Sequence, residues 1–204
     1  AIKVKNINPN SKQGDIKFVD LLKKMGCGVK TGADFIEVKG HSLKSIDVDM
    51  NNMNISLDGI RKAITPKTKA IVPVHLFGRA ANMDAIMEIA NEHNLYVIED
   101  NAQAIGANYS SKDGSKKKVG TIGHVAATSF FPSKNLGCYG DGGAIFTNDD
   151  ALAHKIRGIV NHGMYERYHH DVVGVNSRLD SIQAGVLKAK LPHLDTYNKA
   201  RQEA

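Results

Sequence analysis

From about residue 69 onward, the chain alternates short apolar runs, rich in β-branched residues, with stretches whose apolar residues recur at helical spacing. This alternation is typical of βαβ units, in which a helix returns the chain to a parallel neighbouring strand. The predicted strands are KAIVPVHLF (69–77), LYVIED (95–100), VAATSFF (125–131) and GAIFTND (143–149). The sequence therefore predicts an α/β fold with a mostly parallel sheet flanked by helices.

Helix signals lie between and after these strands. One helix is predicted over 82–94, a second from Asp149 or Asp150, and a last one from near Leu179 to Pro192. The last helix is expected to end or kink at Pro192, because proline has no amide hydrogen to donate. Residues 164–177 have no clear period.

The first 54 residues follow a different pattern. A strand is predicted over Ile2 to Ile7, a helix over Asp15 to Met25, and then two short strands that turn at Gly32. This order is a βαββ unit. A domain boundary near residue 50 follows from the change of pattern alone.

Several classes of protein are disfavoured by the sequence. No stretch approaches the roughly 20 continuous apolar residues of a membrane helix, and AIKVKNINPN lacks the apolar segment of a signal peptide. We therefore expect a cytoplasmic protein without membrane partners. Cys27 and Cys138 are far apart and have no CxxC or Cys/His spacing, so free thiols and no metal site are expected.

The net charge of +6 raises the question of nucleic acid, but the lysines are scattered. The one tight run, Lys116 to Lys118, follows Asp113-Gly114 in SSKDGSKKKVG, which has the composition of a turn. A solvated loop explains this run, and nucleic-acid binding is not expected.

Polar residues lie near the predicted carboxyl ends of two strands, where open α/β sheets bind their ligands. Asp100 ends one strand, Ser129 lies near the end of the next, and Lys134 follows it. Pyridoxal phosphate (PLP) requires these residue types: a carboxylate for the pyridine nitrogen, a lysine for the Schiff base and a hydroxyl for the phosphate.

Each residue also has an ordinary structural explanation. A strand-end Asp often caps a turn, Lys134 beside Pro132 could be a surface lysine, and the glycine-rich GCYGDGG could simply reverse the chain. Spacing alone does not decide between a PLP site and these structural roles.

Longer motifs indicate a family. ITPKTKAIVPVHLFG, VIEDNAQAIGA, SFFPSKNLGCYGDGGA and GVNSRLDSIQAGVL occur in order between about Ile55 and Gln202. They resemble the DegT/DnrJ family of PLP-dependent sugar aminotransferases, which implies part of the large domain of PLP fold type I.

The resemblance implies a role for individual residues. Asp100 would bind the pyridine nitrogen, Gln103 would contact the O3' side of the ring, and Ser129 would hold the phosphate. Lys134 would be the catalytic Schiff-base lysine, acting also as general acid and base. Asn176 would reach the phosphate in a neighbouring subunit, which implies a homodimer.

The substrate is also suggested by resemblance. FFPSKNLGCYGDGG and RYHHDVVGVNSRLD are most similar to family members that aminate 3-keto, carboxylated nucleotide sugars such as UDP-2-acetamido-3-oxo-glucuronate, and glutamate is the expected amino donor. Arg167 and Arg178 would then meet the substrate carboxylate, or else be ordinary surface or helix-start arginines. His75 and Tyr139 are expected to pack in the core rather than bind cofactor.

The N-terminal part resembles a different family. QGDIKFVDLLKKMGCGVKTGADFIEVKG followed by LKSIDVDMNNMN is similar to a segment of 5-enolpyruvylshikimate-3-phosphate (EPSP) synthase. Where that family has Pro-Asp, with a catalytic aspartate, this chain has Asn54 and Ile55, so enolpyruvyl transfer is not expected. The sequence thus predicts a chimera or truncated chain, with an EPSP synthase-like segment over 1–54 and part of an aminotransferase large domain over 55–204.

Two features of the aminotransferase family have no counterpart in this sequence: the SGTxAL-type turn that cradles the PLP phosphate, and the small C-terminal domain. Three functions therefore remain open, of which an enolpyruvyl-transferase-like fragment is disfavoured by the missing aspartate. The first is a PLP-dependent aminotransferase of nucleotide-linked keto sugars, impaired by the missing segments. The second is a non-catalytic chimeric α/β domain that binds PLP weakly or not at all.

Overall fold

The computed structural model describes residues 2–5, 19–20, 22–40 and 54–203, and the chain divides into two compact units, Ala1–Met53 and Asn54–Ala204. In the described part of the first unit, β1 (Ile2–Lys5), β2 (Gly28–Thr31) and β3 (Phe35–Lys39) form an antiparallel sheet in the order β1-β3-β2. Residues 19–20 and 22–24 are helical. The predicted βαββ order is therefore present, although residues 6–18, which include the predicted helix start, lie outside the described residues.

The second unit is built around a four-stranded sheet. The strands of the whole unit, in chain order, are β4 (Ala70–Ile71), β5 (Tyr96–Asp100), β6 (Asn108–Ser110), β7 (Lys116–Lys118), β8 (Val125–Ser129), β9 (Gly143–Phe146), β10 (Met164–Glu166) and β11 (His169–His170). The main sheet has the order β4-β5-β8-β9, with β4, β5 and β8 parallel and β9 antiparallel. The prediction of a mostly parallel sheet is confirmed.

Helices lie before, between and after these strands. They are α1 (Leu57–Ala63), α2 (Met83–Glu92), α3 (Asp150–Val160), α4 (Ser181–Lys190) and α5 (Leu194–Glu203). The side chains of Ser56, Asn82, Asp149 and Asp180 accept hydrogen bonds from amides in the first turns of α1 to α4, which satisfies donors that a helix start otherwise leaves free. Pro192 lies in a 3₁₀ turn, Leu191–His193, that separates α4 from α5, so the predicted break at this proline is confirmed.

The structure differs from the predicted elements at two kinds of place. The strand predicted over 69–77 is regular only at Ala70–Ile71, because Pro73 cannot donate to a ladder. The hairpins β6–β7 and β10–β11 were not predicted. Their strands are two or three residues long and largely exposed, so they leave no hydrophobic period. The Lys116–Lys118 run is exposed, as expected, but it forms the strand β7 rather than the predicted loop.

The two faces of the main sheet differ in burial. One face packs under α2 in a core that contains Ile71, Met83, Ile86, Ile89 and Val97. The opposite face, called here the open face, presents the exposed side chains of Val72, Val74, Tyr96, Ala127 and Ile145. Val74, Asp100, Ala127 and Ile145 are direct partners across the strands and so form one row on the open face.

Two further predictions concern the cysteines and membrane-spanning helices. Cys27 and Cys138 are both free thiols, as predicted, and Cys138 is buried. Among the helices of the described residues, none is long and apolar enough to cross a membrane.

Candidate functional site

Asp100 ends β5 and is fixed by backbone hydrogen bonds on both sides. Its amide donates to the Pro73 carbonyl at 2.9 Å, and its carbonyl accepts from the His75 amide at 3.0 Å. Its Oδ1 accepts from the Ala102 amide at 3.0 Å. Within the described residues Oδ2 has no hydrogen-bond partner, so this half-buried carboxylate is oriented by one oxygen and can bind a ligand with the other.

Ser129 lies on the same face of the neighbouring strand. Asp100 pairs with Ala127 of β8, and Ser129 follows two residues later, which places it on the open face again. Its Oγ accepts from the Phe131 amide at 3.2 Å. The hydroxyl hydrogen is thereby left to donate, which is what a phosphate oxygen requires.

Lys134 lies in a loop between β8 and β9 that backbone hydrogen bonds hold in place. The Phe130 amide donates to the Gly142 carbonyl at 2.7 Å, the Cys138 amide to Phe130 at 2.8 Å, and the Lys134 amide to Phe131 at 2.8 Å. The loop therefore presents Lys134 from a fixed backbone.

Glycine is required inside this loop for packing. A Cβ on Gly137 would lie 2.4 Å from the Pro132 carbonyl oxygen and 2.8 Å from that of Phe131. From the other side, the Oε1 of Gln183 on α4 accepts from the amides of Tyr139 and Gly140 at 2.8 and 3.0 Å.

Lys134 and Gln103 line one cavity of about 1030 Å³, together with Phe77 and residues of α5. Asn198 of α5 joins two walls of this cavity: its Oδ1 accepts from Asn135 at 2.6 Å and its Nδ2 donates to the Ile105 carbonyl at 3.1 Å. Asp100 and Ser129 are not among the lining residues. The structure thus brings Lys134 and Gln103 together in the cavity, and Asp100 and Ser129 together on the open face.

A turn over residues 75–81 forms another part of the site. The Phe77 amide donates to the Oε1 of Gln103 at 2.9 Å, and Phe77 has a left-handed backbone, φ 54°. Asn54 holds the same turn from outside: its Oδ1 accepts from Leu76 at 3.3 Å, and its Nδ2 donates to the carbonyls of Arg79 and Ala80 at 3.2 Å each.

A buried hydrogen-bond network, absent from the sequence predictions, lies on the face of β5 opposite to Asp100. Glu99 is fully buried, and its carboxylate accepts from the amides of Gly120, Ile122 and Gly123 at 2.8, 2.7 and 2.6 Å. Its Oε2 is also 2.9 Å from Nε2 of His75, which is fully buried too. The expectation that His75 packs in the core is confirmed.

The charge state of Glu99 follows from opposing effects. Burial disfavours the carboxylate, but hydrogen bonds from His75 and from the Gly123, Gly120 and Ile122 amides outweigh burial and hold the pKa of Glu99 below its ordinary value. Glu99 is therefore ionised at neutral pH. The position of Glu99, an acidic residue at a strand end, did not indicate that its side chain would be buried. The glycines at 120 and 123 were a sequence feature that could have indicated it.

The remaining predicted residues lie elsewhere. Asn176 is exposed and forms an isolated bridge with Asn161, and the Arg167 guanidinium lies 4.9 Å from the Tyr168 ring centroid. Arg178 is exposed just before α4. In the part of the chain that the structure describes, no hydrogen bond links these residues to the site above, and their roles stay predictions. Tyr139 is 79% exposed, so the prediction that it packs in the core is wrong; its backbone is held by α4 while its ring points outward.

The donor set of the site fits PLP. A carboxylate with a free oxygen suits a protonated ring nitrogen, a hydroxyl with a free hydrogen suits a phosphate, and an amide whose oxygen is occupied offers its nitrogen to a phenolic oxygen. Lys134 supplies an amine from the loop that follows Ser129. In the described residues, no cluster of His, Cys, Asp or Glu has the composition of a metal site.

Comparison with protein families gives two matches. Residues 31–204 match the DegT/DnrJ/EryC1/StrS aminotransferase family, and residues 1–57 match EPSP synthase (3-phosphoshikimate 1-carboxyvinyltransferase). The two matched ranges overlap between residues 31 and 57.

Individual proteins resemble the larger part. A UDP-N-acetyl-3-dehydro-α-D-glucosamine 3-aminotransferase of Acidithiobacillus ferrooxidans is 52% identical over 159 residues, 78% of this chain and 42% of that protein. A UDP-2-acetamido-2-deoxy-3-oxo-D-glucuronate aminotransferase of Pseudomonas aeruginosa is 48% identical over 171 residues, 84% of this chain and 46% of that protein. This chain thus spans less than half the length of these relatives.

The fold is similar to that of a solved relative. The crystal structure of DesV from S. venezuelae, in complex with a ketimine intermediate, superposes with a TM-score of 0.65 at 48% sequence identity, over 71% of this chain and 38% of that one.

Proposed function

Because this chain belongs to the DegT/DnrJ/EryC1/StrS aminotransferase family, we propose that its site serves PLP-dependent amination of a nucleotide-linked keto sugar. The observation that supports this most directly is the position of Asp100 and Ser129. They lie on one face of adjacent strands at their carboxyl ends, with Lys134 in the loop that follows. The relatives named above act on UDP-linked 3-keto sugars, and the substrate proposed here is of that class.

Each residue has a defined task in this proposal. PLP, when bound, supplies an electron sink for the bonds at the amino donor's Cα. Asp100 holds the proton on the pyridine nitrogen, Ser129 donates to the phosphate, and Gln103 donates its amide hydrogen to the ring O3'. Lys134 bonds the cofactor at rest and moves a proton between Cα and C4' as general acid and base.

The finer parts of the function are proposals of the same kind. Glutamate is the amino donor, Asn176 reaches the phosphate across a homodimer, and Arg167 or Arg178 meets a substrate carboxylate. The protein acts in the cytoplasm. The chain is a chimera that joins an EPSP synthase-like segment, residues 1–54, to part of an aminotransferase, residues 55–204; the overlapping family matches support this.

A second function is favoured by one observation. In the described residues, the family resemblance assigns only two side chains to the phosphate: Ser129 and, from a partner subunit, Asn176. The alternative is a non-catalytic α/β domain that keeps the fold and binds PLP weakly or not at all.

An absorption experiment distinguishes the two functions. We expect that the purified protein, on addition of PLP, develops a band that borohydride removes, and that peptide mapping then finds a pyridoxyl group on Lys134. Lys134→Ala should lose this adduct and all turnover while keeping the far-UV spectrum, and Lys155→Ala, on exposed α3, is the matched control. Labelling spread over surface lysines would favour the non-catalytic domain. Turnover of a UDP-linked 3-keto sugar with glutamate would establish the reaction.

A further inference from the structure

Glu99 binds together three segments that are distant in the sequence. It belongs to β5, its carboxylate accepts amide hydrogens from Gly120, Ile122 and Gly123, and its Oε2 is within hydrogen-bond distance of the His75 ring in the 75–81 turn. Gly120 has φ 89°, and a Cβ on Gly123 would lie 2.9 Å from the Val97 carbonyl oxygen. Three amides of the 120–123 segment therefore surround the carboxylate, as backbone amides in turns form a concave anion site.

The hydrogen bonds of His75 determine where its proton lies. Nδ1 is 3.1 Å from the Ala81 amide nitrogen and accepts its hydrogen, so Nδ1 carries none. Nε2 must then carry the ring proton and donate to Glu99. A neutral His75 thus joins Glu99 at one ring nitrogen to Ala81 at the other, across the whole turn.

The 75–81 turn connects this network to Gln103 of the candidate site. Phe77 lies between His75 and Ala81 in a left-handed conformation that side chains rarely adopt, and such strain persists only where neighbouring bonds impose it. Its amide donates to Oε1 of Gln103. The side-chain amide of Gln103 has two orientations that differ by a half turn. The hydrogen bond from Phe77 determines which position the amide oxygen occupies.

We propose that Glu99 and His75 are positioning residues for Gln103: through the Phe77 turn they occupy its amide oxygen and leave its amide nitrogen to donate to the phenolic oxygen of the cofactor. This inference rests on the proposed function for the identity of the ligand. The bonds that position Gln103 belong to this chain alone.

Two variants of His75 separate its two bonds. His75→Gln keeps a donor near the position of Nε2 and so keeps the bond to Glu99, whereas His75→Asn keeps an acceptor near Nδ1 and loses that bond. We expect His75→Gln to retain PLP binding and the Lys134 adduct to within a few-fold, and His75→Asn to bind PLP roughly tenfold more weakly or worse. Ile86→Val, on the buried face of α2, is the control: it destabilises the core and leaves the 75–81 turn intact.

Absorption against pH gives a signature that simple destabilisation does not produce. A hydrogen-bond donor to the phenolic oxygen of PLP stabilises the phenolate. This hydrogen bond weakens the attraction between the phenolate and the protonated Schiff base. Weakened donation from Gln103 should raise the pH midpoint of the PLP absorption change in His75→Asn but not in Ile86→Val. Equal midpoints and equal affinities in His75→Asn and wild type would overturn the proposal.

A cofactor-free measurement keeps the inference separate from the proposed function. In ¹⁵N NMR spectra of the wild-type protein without PLP at pH 7, we expect the His75 ring to be the Nε2-protonated tautomer and the Phe77 amide to be protected from exchange. An Nδ1-protonated His75 ring, or a fast-exchanging Phe77 amide, would refute the positioning network. If both expectations hold and wild type forms no Lys134 adduct, the proposed function fails while the network stands.

Discussion

At the scale of single residues, two adjacent carboxylates of β5 have opposite environments. Asp100 lies on the open face with one oxygen available, while Glu99 points into the protein and is enclosed by hydrogen-bond donors. Strand geometry explains the contrast, since successive side chains point to opposite faces. A site residue and its support therefore occupy neighbouring positions in the sequence.

Glu99→Gln tests this environment through stability. The pKa of Glu99 in the folded protein lies below the ordinary value of 4.5, so its contribution to stability is present above pH 4.5 and is lost as the pH falls through the folded-state pKa. We expect Glu99→Gln to lower the free energy of unfolding at pH 7 by about 3 kcal/mol, because the new amide hydrogens face backbone donors.

The pH dependence provides the check. Urea unfolding of both proteins between pH 7 and 3 should give curves that converge as the pH falls, because wild type alone loses the Glu99 contribution. Parallel curves would contradict an ionised Glu99 in the folded state.

At the scale of elements, the sequence predicted those parts whose burial follows a regular period. β5 and β8 lie where the β-branched runs indicated, and Asn82 and Asp149 cap α2 and α3 because their side chains reach the first free amides. The 75–81 turn could not be predicted. Its form depends on bonds to Asn54, Glu99 and Gln103, which are distant in the sequence and leave no local pattern.

Asn54→Ala tests the outer support of this turn. Asn54 makes hydrogen bonds to Leu76, Arg79 and Ala80, and at about 0.5–1.5 kcal/mol for a typical bond, partly exposed, we expect a loss of about 2 kcal/mol in unfolding free energy. Hydrogen exchange should show faster exchange at Phe77. Asn148→Ala, which removes one exposed bond to Thr121, should have a smaller effect and leave Phe77 unchanged; equal effects would contradict the role assigned to Asn54.

At the scale of the whole molecule, the second unit has a complete core on one side of its sheet and exposed apolar side chains on the other. Tyr96 is 63% exposed and Ile145 is 49% exposed, although both belong to strands of the main sheet. The sequence predicted the sheet but not this difference between its two faces. Sheets that are buried on both faces and sheets that are buried on one face both contain β-branched runs, so these runs did not indicate that one face would be exposed. Apolar patches of this kind promote association.

Ile145→Lys tests the open face. A charge in the row formed with Ala127 and Asp100 should reduce binding of an apolar dye such as ANS and shift the molecule toward monomer in analytical ultracentrifugation. Val173→Lys, at a residue that is 97% exposed outside the sheet, adds the same charge as a control. Unchanged dye binding and self-association in Ile145→Lys would show that the open face does not drive association.

The enclosure of Glu99 has a further consequence for how the protein responds to its medium. The amides of Gly120, Ile122 and Gly123 form a binding site for an anion, and the same polypeptide supplies that anion, the Glu99 carboxylate, at a fixed position. No sulfate or phosphate from solution can compete with a ligand that is covalently attached, and buried charges are little affected by mobile ions. At neutral pH the protein thus contains an anion site that its own Glu99 carboxylate occupies on folding, and changes in ionic strength should affect this occupancy little.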